Sequence, residues 1–196
     1  MQNLVDLSKQ FNWIDILVFL IFLRVIFVSL KNGLSVEFFK VLGIFCAAFA
    51  ALHFYPSLAD YLASGSGNEN RPGAFFGLAA FVLIVVTTCV VFWVVRLLFS
   101  RYAELTIDPV LSRCGGLAAG AARAFLLTSI ILFALLVTEI PYFKRSVLFS
   151  YTGSYCATVA PTTYTWFFKS IVSRLLPGQH YNAAVNEVIV ITPKKK

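Results

Sequence analysis

Two arginines, Arg24 and Arg123, stand inside apolar runs long enough to cross a membrane, and three carboxylates, Asp15, Glu37 and Asp108, stand near the starts of such runs. A charge held at the centre of a bilayer costs about 2.5–3.5 kcal/mol on insertion scales, so it is expected to face protein or a wet cavity and to have a partner. The chemistry open to such residues is ion pairing between helices, or a polar pathway or ligand site among them. For Arg24 the weightier reading is snorkelling of its long stem together with a structural ion pair. For Arg123, far from both ends of its segment, the structural and functional readings stand level. Arg123 follows Asp108 by 15 residues, about 22 Å along an ideal helix, so the two cannot pair if the helix is straight. The expected acceptor is a carboxylate from another element, or carbonyls freed at a helix break.

No other chemistry is written in the chain. HExxH, GxSxG, GxxxxGK[ST] and GxGxxG are all missing, so no hydrolase, nucleotide or zinc-protease signature is present. His53 and His180 are far apart in sequence, with no candidate partner close by in the chain; His53 is read as capping the interfacial end of its span. Cys46, Cys89, Cys114 and Cys156 include no CxxC pair, and they are read as small packing residues rather than disulfide or metal ligands. Thr87, Thr88, Thr128 and Ser129 are expected to bond their own helices. The sequence therefore predicts no enzyme, no catalytic residue, no metal and no cofactor.

The elements that must position these charges are helices in lipid. The chain has 196 residues, 59% hydrophobic and 13% charged, with 20 phenylalanines. A soluble domain has about 45–50% apolar and about 25% charged residues, and a soluble core of this size could not hide so many rings. Four spans are predicted at about 13–31, 36–55, 74–96 and 109–138, since about 20 apolar residues cross the hydrocarbon core. Pro56 is expected to end the second span. Asp108-Pro109 is a good start for the fourth, whose 30 residues from Pro109 to Thr138 would extend about 45 Å, so part of it is expected to lie at the interface, to tilt strongly or to break, with the small-residue stretch 115–120 as the place for a break. The fold class is all-α and polytopic, with a C-terminal amphipathic helix. Residues 1–140 form the membrane domain, 141–180 an interfacial or amphipathic region, and 181–196 a basic tail. The helix predicted over 161–176 puts Tyr164, Phe168, Ile171 and Leu175 on one side, and its spacing fits either an in-plane interfacial helix or one packed on the bundle.

Small residues recur at four-residue spacing in Gly43-Ala47-Ala51, Gly73-Gly77 and Gly116-Gly120. In lipid, helix association depends on close backbone approach, so these ridges predict a compact bundle or an oligomer. The formal charge is +7, but the cations flank apolar runs and form no nucleic-acid module. The expected partners are the bilayer and either a second copy or another membrane protein, not nucleic acid. Lys31, Lys40, Arg96, Arg101 and Arg113 gather around the first and third loops, which places those loops in the cytoplasm and both termini outside.

The run Asp108-Pro109-Val110-Leu111-Ser112-Arg113-Cys114-Gly115-Gly116-Leu117-Ala118-Ala119-Gly120-Ala121-Ala122-Arg123 resembles the signature of the colicin V production protein family, which typically shows Asp and Arg adjacent, then a Leu-Gly pair, then a Gly and an Arg at helical spacing before a long apolar run. Trp13-Ile14-Asp15 before the first span, Lys31-Asn32-Gly33-Leu34 with Glu37 opening the second, and Ser146 after the fourth extend the resemblance over roughly residues 11–150. Pro109 stands where the family usually has Arg, and Arg113 comes four residues later. The resemblance implies a multi-pass bacterial inner-membrane protein associated with production or export of a peptide toxin and with envelope homeostasis. It marks Asp108, Arg113, Gly116, Gly120 and Arg123 as motif and packing candidates, beside the intramembrane polar candidates Asp15, Arg24 and Glu37.

Overall fold

Asn12 starts the first helix by a capping box: its side-chain oxygen accepts from Trp13 N (2.7 Å), while its own N–H donates to Asp15 Oδ2 (2.9 Å). Two of the N–H groups that a helix start leaves over are satisfied in this way. The structure, a computed structural model, describes residues 12–65, 74–102, 109–138, 140–175, 180–183 and 185. In chain order the helices are α1 (Trp13–Lys31), α2 (Leu34–Gly65), α3 (Ala74–Tyr102), α4 (Pro109–Val137), α5 (Pro141–Phe149) and α6 (Gly153–Phe167). A single π-helical turn, Phe168–Val172, and the short α7 (Ser173–Leu175) follow α6 directly. No strand occurs among the described residues. α1 to α4 are the four helices long and apolar enough to cross a membrane.

α4 is the central helix. About 56% of its most apolar window is buried inside the protein, against 28% for α1 and α2 and 11% for α3. One core joins Leu52 of α2, Phe81 of α3, Phe133 of α4 and Tyr164 of α6. A second joins Ile14 and Val18 of α1, Leu132 and Leu136 of α4, and Val147 and Ala157 from the C-terminal region. The phenylalanines that no soluble fold could bury are divided accordingly. Phe81 and Phe133 pack as a tilted pair 5.4 Å apart inside the bundle, while Phe19, Phe27, Phe54 and Phe75 stay exposed, which is the arrangement lipid tolerates.

Three expectations about the elements are corrected. First, Pro56 does not end α2, which runs on to Gly65. Proline has no N–H to donate to the carbonyl four residues back, so the Leu52 carbonyl is left over, and Asn182 Nδ2 donates to it at 2.6 Å. Second, the stretch 115–120 does not break α4. Its glycines are spent on close approach to α1 instead, and Gly116 is buried against the α1–α2 turn. Third, the C-terminal helix begins at Gly153, not near Pro161, and Pro161 lies inside it. Here too a neighbour serves the carbonyl that proline leaves over: Ser129 Oγ of α4 donates to the Ala157 carbonyl (3.3 Å) and accepts from Ala160 N (2.7 Å). α6 packs on the bundle, with Cys156, Ala157, Ala160 and Tyr164 buried. Tyr164 and Phe168 share the buried side as expected, but Ile171 and Leu175 are exposed. The π turn between them widens the repeat and rotates later residues off that face.

Candidate functional site

The tight turn from α1 to α2 is built by α4. Its Ser112 Oγ accepts from Leu34 N at 3.2 Å, capping the start of α2. A Cβ placed on Gly116 would lie 3.0 Å from the Asn32 carbonyl, and one on Gly120 would collide with the Ser29 side chain. These two glycines let α4 approach the turn at backbone distance. The approach brings Arg123 to the first turn of α2. Its Nη1 lies 2.8 Å from Glu37 Oε2. Glu37 Oε1 accepts from Lys40 Nζ at 2.8 Å and from Asn32 Nδ2 at 2.9 Å. Glu37 is 0% exposed and Arg123 7%, so both charges are out of solvent, and each is held by the other. The N-terminal end of α2 adds the positive end of its dipole to the carboxylate's surroundings.

Asp15 forms a second polar centre at the opposite end of α1. Its Oδ1 accepts from Ser150 Oγ (2.7 Å), Thr152 N (2.8 Å) and Thr152 Oγ1 (2.5 Å). With the Asn12 N–H on Oδ2, this buried carboxylate gathers four donors and has no cation partner among the described residues. It ties the start of α1 to the α5–α6 junction, where Asn12 Nδ2 also donates to the Ser146 carbonyl at 3.2 Å. Gly153 is needed there, because a Cβ would stand 2.6 Å from Ile14 Cγ2.

The structure sorts the sequence candidates sharply. Glu37, Gly116, Gly120 and Arg123 come together in one seam. Asp15 is buried but belongs to the other centre. Arg24 and Arg113 are exposed and join neither. Asp108 lies outside the described residues, as does Gly73 of the second small-residue ridge. His53 is corrected: it does not lack a partner. Its Nδ1 is 3.0 Å from Tyr164 Oη, which also accepts from Asn182 N at 3.3 Å, and its ring stacks on Phe49. Ser129 is corrected as well, since it bonds α6 rather than its own helix. Ser112, Asn32 and Lys40 are members of the seam that sequence reasoning missed. The signal for Ser112 lay in its place as the fifth residue of the quoted motif, but a capping role toward a residue 78 positions away has no local mark.

Beside the seam lies a cavity of about 270 Å³. Lys40, Arg96 and Arg123 contribute to its wall, and Trp93, Phe92 and Leu127 supply much of the rest. α3 packs chiefly on α2 and little on α4, which leaves this cleft between α3 and α4.

An all-helical membrane bundle with an ion pair sealed beneath a helix-turn contact is the class that this geometry defines. Residues 14–178 match the family described as Colicin V production protein. The chain therefore belongs to the colicin V production protein family, the match covering most of its length. No curated protein and no solved structure matches the chain.

Proposed function

We propose that this protein is a non-enzymatic integral protein of the bacterial inner membrane that serves toxin production or export, or envelope homeostasis, as an accessory or scaffold subunit. The single observation that carries the scaffold reading is the fate of the intramembrane charges. Arg123 is locked to Glu37, and Asp15 is saturated by hydroxyl and N–H donors. Charges spent on joining helices are not free to line a conduction path. The natural partners are a second copy or another membrane protein. Cross-linking in native membranes followed by pull-down tests this: a discrete cross-linked species, recovered in proportion to the protein's own level, is expected. A protein that stays monomeric at every cross-linker length contradicts it.

A second reading, a small transporter or channel subunit, is favoured by one observation, the cation-walled cavity beside the seam. Solute or ion flux into vesicles that carry the purified protein, lost on Arg96→Gln, would favour transport over the scaffold.

A further inference from the structure

The cavity beside the seam combines two features that rarely meet by chance. Three of the residues lining it, Lys40, Arg96 and Arg123, are cations, and among the described residues Glu37 is the one carboxylate paired with any of them. Glu37 is shared between Lys40 and Arg123, while Arg96 has no carboxylate partner among the described residues. Positive charge is thus in excess around a low-dielectric pocket, where like charges repel strongly and an entering anion relieves the repulsion. The remaining wall is apolar and aromatic, and it continues onto the outer face of α3, where Val86, Val90 and Trp93 are exposed.

Depth fits a lipid rather than a soluble anion. Lys40 is six residues into α2 and Arg96 six residues before the end of α3, about 9 Å along each helix. This puts the cations near one end of the bundle, where a hydrocarbon core about 30 Å thick centred on these spans would give way to head groups, with the apolar ridge of α3 running on toward its middle. At about 270 Å³ the cavity is just below the usual range of small-molecule sites, about 300–1,000 Å³, which suits a head group whose chains stay outside.

We infer that the α3–α4 cleft is a binding site for an anionic membrane lipid, its phosphate held among Arg96, Lys40 and Arg123 and its acyl chains lying along the exposed face of α3. This inference stands apart from the scaffold reading, and either can fail without the other.

The test uses the full chain with Trp93 as its single tryptophan (Trp13→Phe, Trp166→Phe), reconstituted in phosphatidylcholine vesicles. Trace dibrominated phosphatidylglycerol is compared with trace dibrominated phosphatidylcholine as quencher of Trp93. The anionic lipid is expected to quench several-fold more strongly at equal mole fraction. Arg96→Gln and Lys40→Gln are each expected to reduce that preference by about fivefold, the equivalent of about 1 kcal/mol per cation near an anionic lipid. Arg96→Gln leaves the Glu37–Arg123 pair intact, whereas Lys40→Gln removes one donor from Glu37; unchanged thermal melting of both variants would show that the fold is kept. Lys31→Gln, an exposed cation outside the cavity, is expected to leave the preference unchanged. Equal quenching by the two lipids overturns the proposal. So does a loss on Lys31→Gln as large as that on Arg96→Gln, which would mean a diffuse surface attraction. Abolition of the preference by millimolar inorganic phosphate would assign the site to a free anion instead of a lipid.

Discussion

Asp15 and Arg24 are both charges of α1, and their fates differ because of what lies within reach. Asp15 sits at the helix start, where the N–H groups of Asn12 and Thr152 and the hydroxyls of Ser150 and Thr152 converge on it. Arg24 is exposed on the lipid side of the bundle, with a long stem that can carry its head along the helix surface. Asp15→Ala leaves several buried donors without an acceptor, each worth about 1–3 kcal/mol. It is therefore expected to lower the melting temperature in detergent and the protein's level in membranes. Arg24→Leu is expected to leave both unchanged or raise them, since it removes a charge from a lipid-facing position. A drop for Arg24→Leu as large as for Asp15→Ala would mean that Arg24 has a protein partner. At this scale the sequence was legible to the extent that a charge in an apolar run must be answered. Arg123 was legible as needing an acceptor, and Glu37 was already marked as an intramembrane polar candidate. That one answers the other depends on the turn at Asn32 and Gly33 bringing the start of α2 to α4, a contact between residues 86 positions apart.

The helices themselves were legible from hydropathy, because a span of about 20 apolar residues is a coarse and robust signal. Their ends and kinks were not, because these depend on donors supplied from elsewhere. Pro56 reads locally as a stop, but Asn182 accepts the role of the missing N–H, and α2 continues. Asn182→Ala is therefore expected to destabilise the protein by about 1–3 kcal/mol, and to cost much less in a Pro56→Ala background, where residue 56 regains an N–H for the Leu52 carbonyl. Melting of the two single variants and the double variant measures this, and strictly additive effects would refute the coupling. The glycines of α4 were legible as a packing ridge but were also read as a break. The small residues make no break because their space is filled by Ser29, Asn32 and Leu34. Gly116→Leu and Gly120→Leu are expected to lower assembly and membrane levels severely, since the new side chains meet backbone and a buried serine. Leu117→Ala, at an exposed position, is expected to change little. Equal levels and equal detergent stability of all three variants would remove the packing role of the ridge.

At the scale of the whole molecule, α4 joins α1, α2 and α6: the α1–α2 turn at its N-terminal half through Gly116, Gly120 and Arg123, and α6 at its C-terminal half through Ser129. Asn182 reaches Leu52, 18 residues into α2 and so about 27 Å from the α1–α2 turn. The chain thus returns to the end of the bundle where α1 begins. The cation count predicts that this end faces outward: a reporter active only in the cytoplasm, fused after Lys196, is expected to be silent, and an active fusion contradicts this orientation. On the scaffold proposal, the buried charges of the seam serve assembly and not conduction or chemistry. It is tested most directly by comparing Glu37→Leu, Arg123→Leu and the double variant, reading membrane level together with rescue of a deletion strain in toxin secretion and detergent challenge. Breaking a buried pair from one side strands a charge and costs about 3–5 kcal/mol, whereas replacing both partners by apolar groups is often neutral. Each single variant is expected to be depleted and inactive, and the double variant to recover both level and rescue. A double variant that accumulates normally yet gives no rescue would contradict it, because the charges would then be required for something other than holding the helices together.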